Sequence, residues 1–111
     1  MPAGYVPGRG DVVWISLDPQ SGHEQAGRRP ALVVSPAVYN KKAGLALFCP
    51  ITGQAKGYPY EVAIPPGSPL RGVVLSDQIK SLDWRAREVA LIGKLPLPVI
   101  ELVLTRVRTL I

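Results

Sequence analysis

The stretch GDVVWISLDPQSGHEQAGRRPALVVSP, residues 10–36, decides the fold. Its residues 11–17 (DVVWISL) are β-branched and aromatic and follow a glycine turn signal, so they read as a strand. Residues 31–35 (ALVVS) are nearly all apolar, the pattern of a strand covered on both faces. Between the two runs lie the turn formers and polar groups of DPQSGHEQAGRRP, residues 18–30. Thirteen residues are many for a loop joining neighbouring strands in a small domain, and long ordered loops tend to carry function. An antiparallel pair with a chemically loaded loop is therefore the first expectation.

Outward from this pair, 37–42 reads as a short helical turn or two ended by Gly44, and 45–49 (LALFC) as a strand stopped by Pro50. Residues 61–64 and 73–76 read as strands flanking the proline-rich turn PPGSPLR, 65–71. Residues 79–84 continue the sheet, and 89–92 form a short apolar piece before Gly93. From Leu97 the period changes. Ile100, Val103, Leu104, Val107 and Ile111 follow helical spacing, Pro96 and Pro98 sit where proline is tolerated at a helix start, and Arg106 and Arg108 suit the helix dipole at its end. The fold class expected is mainly β with a C-terminal helix: a small, strongly bent antiparallel sheet or barrel. With 111 residues, no repeats and no linker, the expectation is one domain over 1–111.

Charge narrows the function classes. Thirteen Lys and Arg against eight Asp and Glu give +5, which favours polyanionic partners. Between His23 and Tyr60, Arg28, Arg29, Lys41, Lys42 and Lys56 face Glu24 alone. The single cysteine, Cys49, excludes an internal disulfide and suits a reducing compartment. The N-terminal MPAGYVPGRG lacks the apolar run of a signal peptide and no stretch is long enough to span a membrane, so a cytoplasmic protein is expected. One Cys and one His cannot supply a usual zinc site. Asp11, Asp18, Glu24 and Asp77 are too spread for a two-metal nuclease, and phosphate-binding glycine motifs are absent.

What remains is the run EQAGRRP, residues 24–30. As composition it is equally a solvated turn entering a strand. Its functional reading places Arg29 just before a strand that opens with rigid Pro30, so the guanidinium base is held, as bidentate phosphate recognition requires. Thr52, in PITG at the end of the LALFC strand, either terminates that strand or offers its hydroxyl to a phosphate oxygen. KGYPY, residues 56–60, joins a cation to two aromatics; these either stack on unpaired bases or are buried hairpin tyrosines.

Four pieces in order, GDVVWISLDPQSGHEQAGRRPALVVSP, YNKKAG, PITGQAKGYPYEV and SDQIKSLDWRAR, resemble the MazF/PemK family of toxin endoribonucleases from about Tyr5 to the C-terminus. The resemblance implies an SH3-like barrel of the CcdB/MazF toxin type and a homodimer. It implies sequence-specific cleavage of single-stranded RNA, without metal or other cofactor, to 2′,3′-cyclic phosphate and 5′-hydroxyl ends, and hence inhibited translation and growth. Carried over by position, it makes Arg29, Thr52 and Glu24 the catalytic set, and Gln78 and Lys80 RNA-binding residues, to which the cations Arg28 and Lys56 are added. The partner it implies is an antitoxin whose acidic C-terminal tail lies over the basic groove. His23 and the doubled arginine at 28 depart from the family pattern. The alternative is a same-fold toxin that binds DNA gyrase and cuts nothing. Chemically, attack by a 2′-hydroxyl needs a proton acceptor, charge stabilisation at phosphorus and a donor for the leaving oxygen. Arg29 suits the second role, and Glu24 is an easier base than a guanidinium.

Overall fold

The first strand pair forms as the hydrophobic pattern dictates. In the computed structural model, which describes residues 4–16 and 27–111, β1 (Asp11–Ser16) runs antiparallel to β2 (Arg28–Val33), with Val12 opposite Leu32 and Ser16 opposite Arg28. Alternation along these strands serves two hydrophobic clusters. Val12 and Leu32 belong to one, and Val13, Ile15, Ala31 and Val33 to the other, all without solvent exposure. The unbroken apolar run after Pro30 is thus a strand with both faces covered.

The chain continues through α1 (Ala37–Ala43), β3 (Leu45–Thr52), β4 (Glu61–Ala63), β5 (Val73–Leu75), β6 (Lys80–Asp83), β7 (Ala90–Lys94) and α2 (Leu97–Arg108). A 3-10 turn, Ser76–Gln78, links β5 to β6. Among the described residues seven strands form one bent antiparallel sheet in the order β4-β5-β3-β2-β1-β7, with β6 paired to β3 on the edge opposite β2. β3 is the hinge of this arrangement: residues 45–48 pair with β6, 48–50 with β2, and 51–52 with β5. Helix α2 closes one side by burying Ile100, Val103 and Val107 against Val12, Leu32, Cys49 and Val74. On the other side Phe48 packs with Ile15, Leu82 and Trp84; truncating a buried phenylalanine to alanine typically costs ~3–5 kcal/mol.

A buried polar knot fixes α1 to the sheet. Asn40 Nδ2 donates to the Pro7 and Ser35 carbonyls at 2.7 and 3.0 Å, and Trp84 Nε1 donates to the Asn40 carbonyl at 3.0 Å. Every polar atom thus removed from water has a partner to replace it.

Five boundaries differ from the sequence reading. Pro50 does not stop β3, which runs on to Thr52. Arg29 lies inside β2, opposite Ile15, instead of just before the strand. Ser76 belongs to the 3-10 turn, and β7 passes through Gly93 to Lys94. Ile111 extends the periodic pattern on paper but lies past the end of α2, 95% exposed.

Candidate active site

The register of the central strands assembles the site. Ala31 of β2 stands opposite Pro50 of β3. Carried two residues further, the same antiparallel register sets Arg29 across from Thr52. The β2–β3 ladder ends at Ala31 and Pro50, while on the other edge of β3 the strand β5 pairs, with Ile51 opposite Val74 and Thr52 opposite Val73. Space opens where the two strands part company.

That space is a cleft of about 490 Å³ lined by Arg29, Pro30, Pro50, Ile51, Thr52, Gly53, Leu75, Gln78 and Lys80. Arg29 and Lys80 bring two positive charges to it, Thr52 a hydroxyl and Gln78 an amide. Lys80 reaches the cleft because it opens β6, opposite Phe48 of β3, while Gln78 closes the 3-10 turn before it. Thr52 Oγ accepts the Gln54 N–H at 3.2 Å, which uses one lone pair and leaves its own hydrogen for another acceptor.

A second cleft of about 250 Å³ continues the first, sharing Thr52, Leu75 and Gln78 and adding Gln54, Lys56, Tyr58, Glu61 and Asp77. Thr52 and Gln78 therefore stand at the junction of one continuous groove. Tyr58 is 61% exposed, which decides against the buried-hairpin reading for this tyrosine.

Of the seven site residues expected from the sequence, the groove unites Arg29, Thr52, Gln78, Lys80 and Lys56. Arg28 goes elsewhere. As its neighbour's opposite in the strand alternation, it lines a separate cleft with Tyr5, Trp84, Arg85 and Glu88, where it donates to the Glu88 carbonyl at 3.4 Å. Glu24 and His23 lie outside the described residues.

Sequence reasoning missed Asp77, Glu61 and Gly72. A Cβ on Gly72, whose φ is +128°, would stand 2.1 Å from the Thr52 carbonyl oxygen and 3.1 Å from Gly53 Cα, so only glycine lets β5 start flush against the threonine. The one signal for it was a glycine entering an apolar strand. Cys49 is fully buried; burial first, and the Asp77 carboxylate second, push its thiol up to about 12, away from the reactive thiolate form.

Bent antiparallel sheet, terminal helix and a groove lined by Arg29, Lys80 and the Thr52 hydroxyl define a small, mainly β protein with a cationic cleft. The chain matches the family described as PemK-like, MazF-like toxin of type II toxin–antitoxin systems over residues 8–111, and it belongs to that family. It is 46% identical over 107 residues to the endoribonuclease toxin MazF of Escherichia coli strain K12, covering 96% of each chain. Among solved structures it is similar to MazF from Deinococcus radiodurans, with 49% identity, a TM-score of 0.86 and 96% of each chain covered. A MazE–MazF crystal structure from the same organism matches at 43% identity and a TM-score of 0.85, covering 96% of this chain and 95% of that one. The fold is thus the CcdB/MazF type.

Proposed function

We propose that the protein is an endoribonuclease toxin that cuts single-stranded RNA at short sequence motifs, in the groove centred on Arg29 and Thr52. The observation that carries this reading is the convergence of Arg29, Lys80, Thr52 and Gln78 on one cleft, in a chain whose relatives include endoribonucleases. No observation favours the gyrase-binding alternative.

In this mechanism the substrate's 2′-oxygen attacks the adjacent phosphorus as its proton passes to a base. The bond from phosphorus to the 5′-oxygen breaks, and that oxygen gains a proton. The products are a 2′,3′-cyclic phosphate and a 5′-hydroxyl. Negative charge builds on the non-bridging oxygens, and donors fixed in advance stabilise it best. The Arg29 guanidinium, on a strand residue paired with Ile15, provides two parallel N–H donors; the Thr52 hydroxyl, oriented by the Gln54 amide, provides a third. Arg29 supplies charge to the phosphorus oxygens, while Glu24, the easier base of the two, takes the proton. Lys80 and Gln78 hold the RNA beside the scissile phosphate, and Lys56 holds it one step along the groove.

Residues 1–111 act as one toxin domain in this reading, supported by the joining of all seven described strands in one sheet. It works as a homodimer, for which the exposed Trp14 and Leu91 on the β1–β7 pair supply apolar contact. Its antitoxin presents an acidic C-terminal tail to the basic groove, as suits a relative of the MazE–MazF complexes. The place of action is the cytoplasm. Among the described residues no helix is long and apolar enough to cross a membrane.

The test is to incubate the pure protein with a long mixed-sequence RNA, with and without EDTA, and to sequence the new ends. Cleavage at a recurrent motif that survives chelation is the expected result. Activity lost in EDTA and restored by magnesium would overturn the metal-free mechanism, and intact RNA beside blocked gyrase supercoiling would overturn the nuclease.

A further inference from the structure

The segment between Thr52 and β4 carries no regular structure, yet it is pinned along its length. At its start the Gln54 N–H bonds to Thr52 Oγ. In its middle the Glu61 carboxylate reaches back across the turn. It accepts the Lys56 N–H at 3.1 and 3.0 Å on its two oxygens and the Gly57 N–H at 2.9 Å. At its end Ser76 N and Oγ both donate to the Tyr60 carbonyl, and the Tyr60 hydroxyl meets Thr109 Oγ at 2.6 Å. Gly57, at φ +83°, allows the turn that brings two successive N–H groups onto one carboxylate.

Amide hydrogen bonds to an ionised acceptor are the stronger kind, and here three contacts fall on a single side chain. The result is a loop whose backbone is committed and whose Lys56 and Tyr58 side chains line the second cleft opposite Asp77 and Gln78. An exposed tyrosine face beside a carboxylate and an amide is a pocket for one unpaired nucleobase: the ring stacks, and the polar edges select the hydrogen-bonding pattern. Asp77, an acceptor, favours a base that presents an amino group. Because the two clefts meet at Thr52, the base read here neighbours the phosphate that is cut.

We propose that Glu61 is a specificity-determining positioning residue: by clamping the Lys56 and Gly57 amides it holds the loop as the wall of a nucleobase pocket next to the scissile phosphate. This rests on the endoribonuclease reading above. Glu61 touches no reacting atom in this scheme. Its loss loosens recognition while leaving the Arg29 and Thr52 chemistry in place.

The experiment compares the parent with Glu61→Ala and Glu61→Gln on a mixed-sequence RNA. Ends are sequenced, and kcat and KM are measured on one oligonucleotide that carries the parent's motif. Glu61→Ala is expected to raise KM about tenfold, as ordering of the loop is transferred to the binding step, with kcat changed less than about threefold. Its ends should spread over several bases at one position of the motif. Glu61→Gln, which keeps an acceptor oxygen, should fall between. Gly67→Ala, at φ +86° with nothing within 4 Å of the new methyl, strains the turn after β4, whose residues line neither cleft, and should leave the ends unchanged. If Glu61→Ala does not fold, Gly57→Ala disturbs the same turn from the other side and must produce the same spread. A folded Glu61→Ala, or failing that Gly57→Ala, with the parent's end spectrum and KM overturns the proposal. A parent that cuts no RNA removes the nuclease reading and this inference with it.

Discussion

Two clefts of nearly equal size flank the start of β2, and they teach different lessons. The Arg29 cleft holds about 490 Å³ and the Arg28 cleft about 510 Å³; each is lined by two cations, Arg29 with Lys80 and Arg28 with Arg85. In the second cleft the cations already serve the fold. Arg28 donates to the Glu88 carbonyl, Arg85 donates to the Lys41 carbonyl at 3.2 Å and lies over the Trp84 ring at 4.8 Å, and the Glu88 side chain lines the same wall. The Arg29 cleft instead adds the Thr52 hydroxyl and the Gln78 amide, and it opens into a further cleft that shares Thr52, Leu75 and Gln78 with it. Volume and charge are shared. The Thr52 hydroxyl and Gln78 amide beside the cations are not.

The sharpest way to break this contrast is to exchange the arginines' fates. Arg29→Ala is expected to lower the rate of RNA cleavage by about a thousandfold or more, in line with removing a principal donor to a transition-state oxyanion. Arg28→Ala should lower it less than about fivefold, because an exposed cation outside the groove contributes mainly long-range attraction. Single-turnover kinetics on one oligonucleotide decides, with circular dichroism to show that both variants fold. Equal losses would erase the distinction between the clefts.

A smaller effect sharpens the geometry on the Arg29 side. Gly72→Ala forces a methyl into the Thr52 carbonyl and requires the β3–β5 contact to shift. Cleavage should fall about ten- to a hundredfold through misplacement of the hydroxyl, while an uncleavable 2′-deoxy version of the RNA binds within a few-fold of its parent affinity. Unchanged cleavage would show that Thr52 needs no such exact seat.

The smallest effect concerns the core beneath the groove. Burial raises the folded-state pKa of Cys49 from 9.0 to about 12, and Tyr5 is raised as well by burial and its hydrogen bond to Asp11. The folded protein therefore holds these protons at pH values where the unfolded chain has released them. Stability from Cys49 is intact below pH 9 and declines as pH climbs toward 12, by up to ~1.4 kcal/mol per unit. Urea unfolding at pH 8 and 10.5 measures the slope, and Cys49→Ala should flatten it. Cleavage near neutral pH should not respond to that substitution.

These same elements show what could be read in advance. The strand pair around residues 10–36 was legible because hydrophobic alternation and an uninterrupted apolar run are local properties. Proline at 50 misled, since a residue without an N–H commonly ends a strand. It is accommodated here because Pro50 keeps its place opposite Ala31 of β2 while β3's other edge passes from β6, paired through Phe48, to β5, paired from Ile51, a fact of tertiary pairing that no local pattern records. The position of Arg29 inside β2 was hidden for a similar reason: two arginines before a proline carry no strand signal until β1 supplies the partners. Arg29 and Thr52 were assigned by family resemblance, and the register accounts for their meeting. Alternation along β2 separates Arg28 from Arg29, which a basic cluster in the sequence conceals. Gly72 and Glu61 were invisible, because one acts through the space it does not fill and the other through amides of a loop with no periodicity.

The central claim, that this groove uses the substrate's own 2′-oxygen as nucleophile, has a direct measurement. An oligonucleotide carrying the cleavage motif is compared with the same molecule bearing a single 2′-deoxy substitution at the scissile nucleotide, and the products are weighed by mass spectrometry. The account predicts a 2′,3′-cyclic phosphate and a 5′-hydroxyl from the first and no cleavage of the second at that site. Cleavage of the deoxy substrate at the same bond, or a 5′-phosphate on the product, would contradict it.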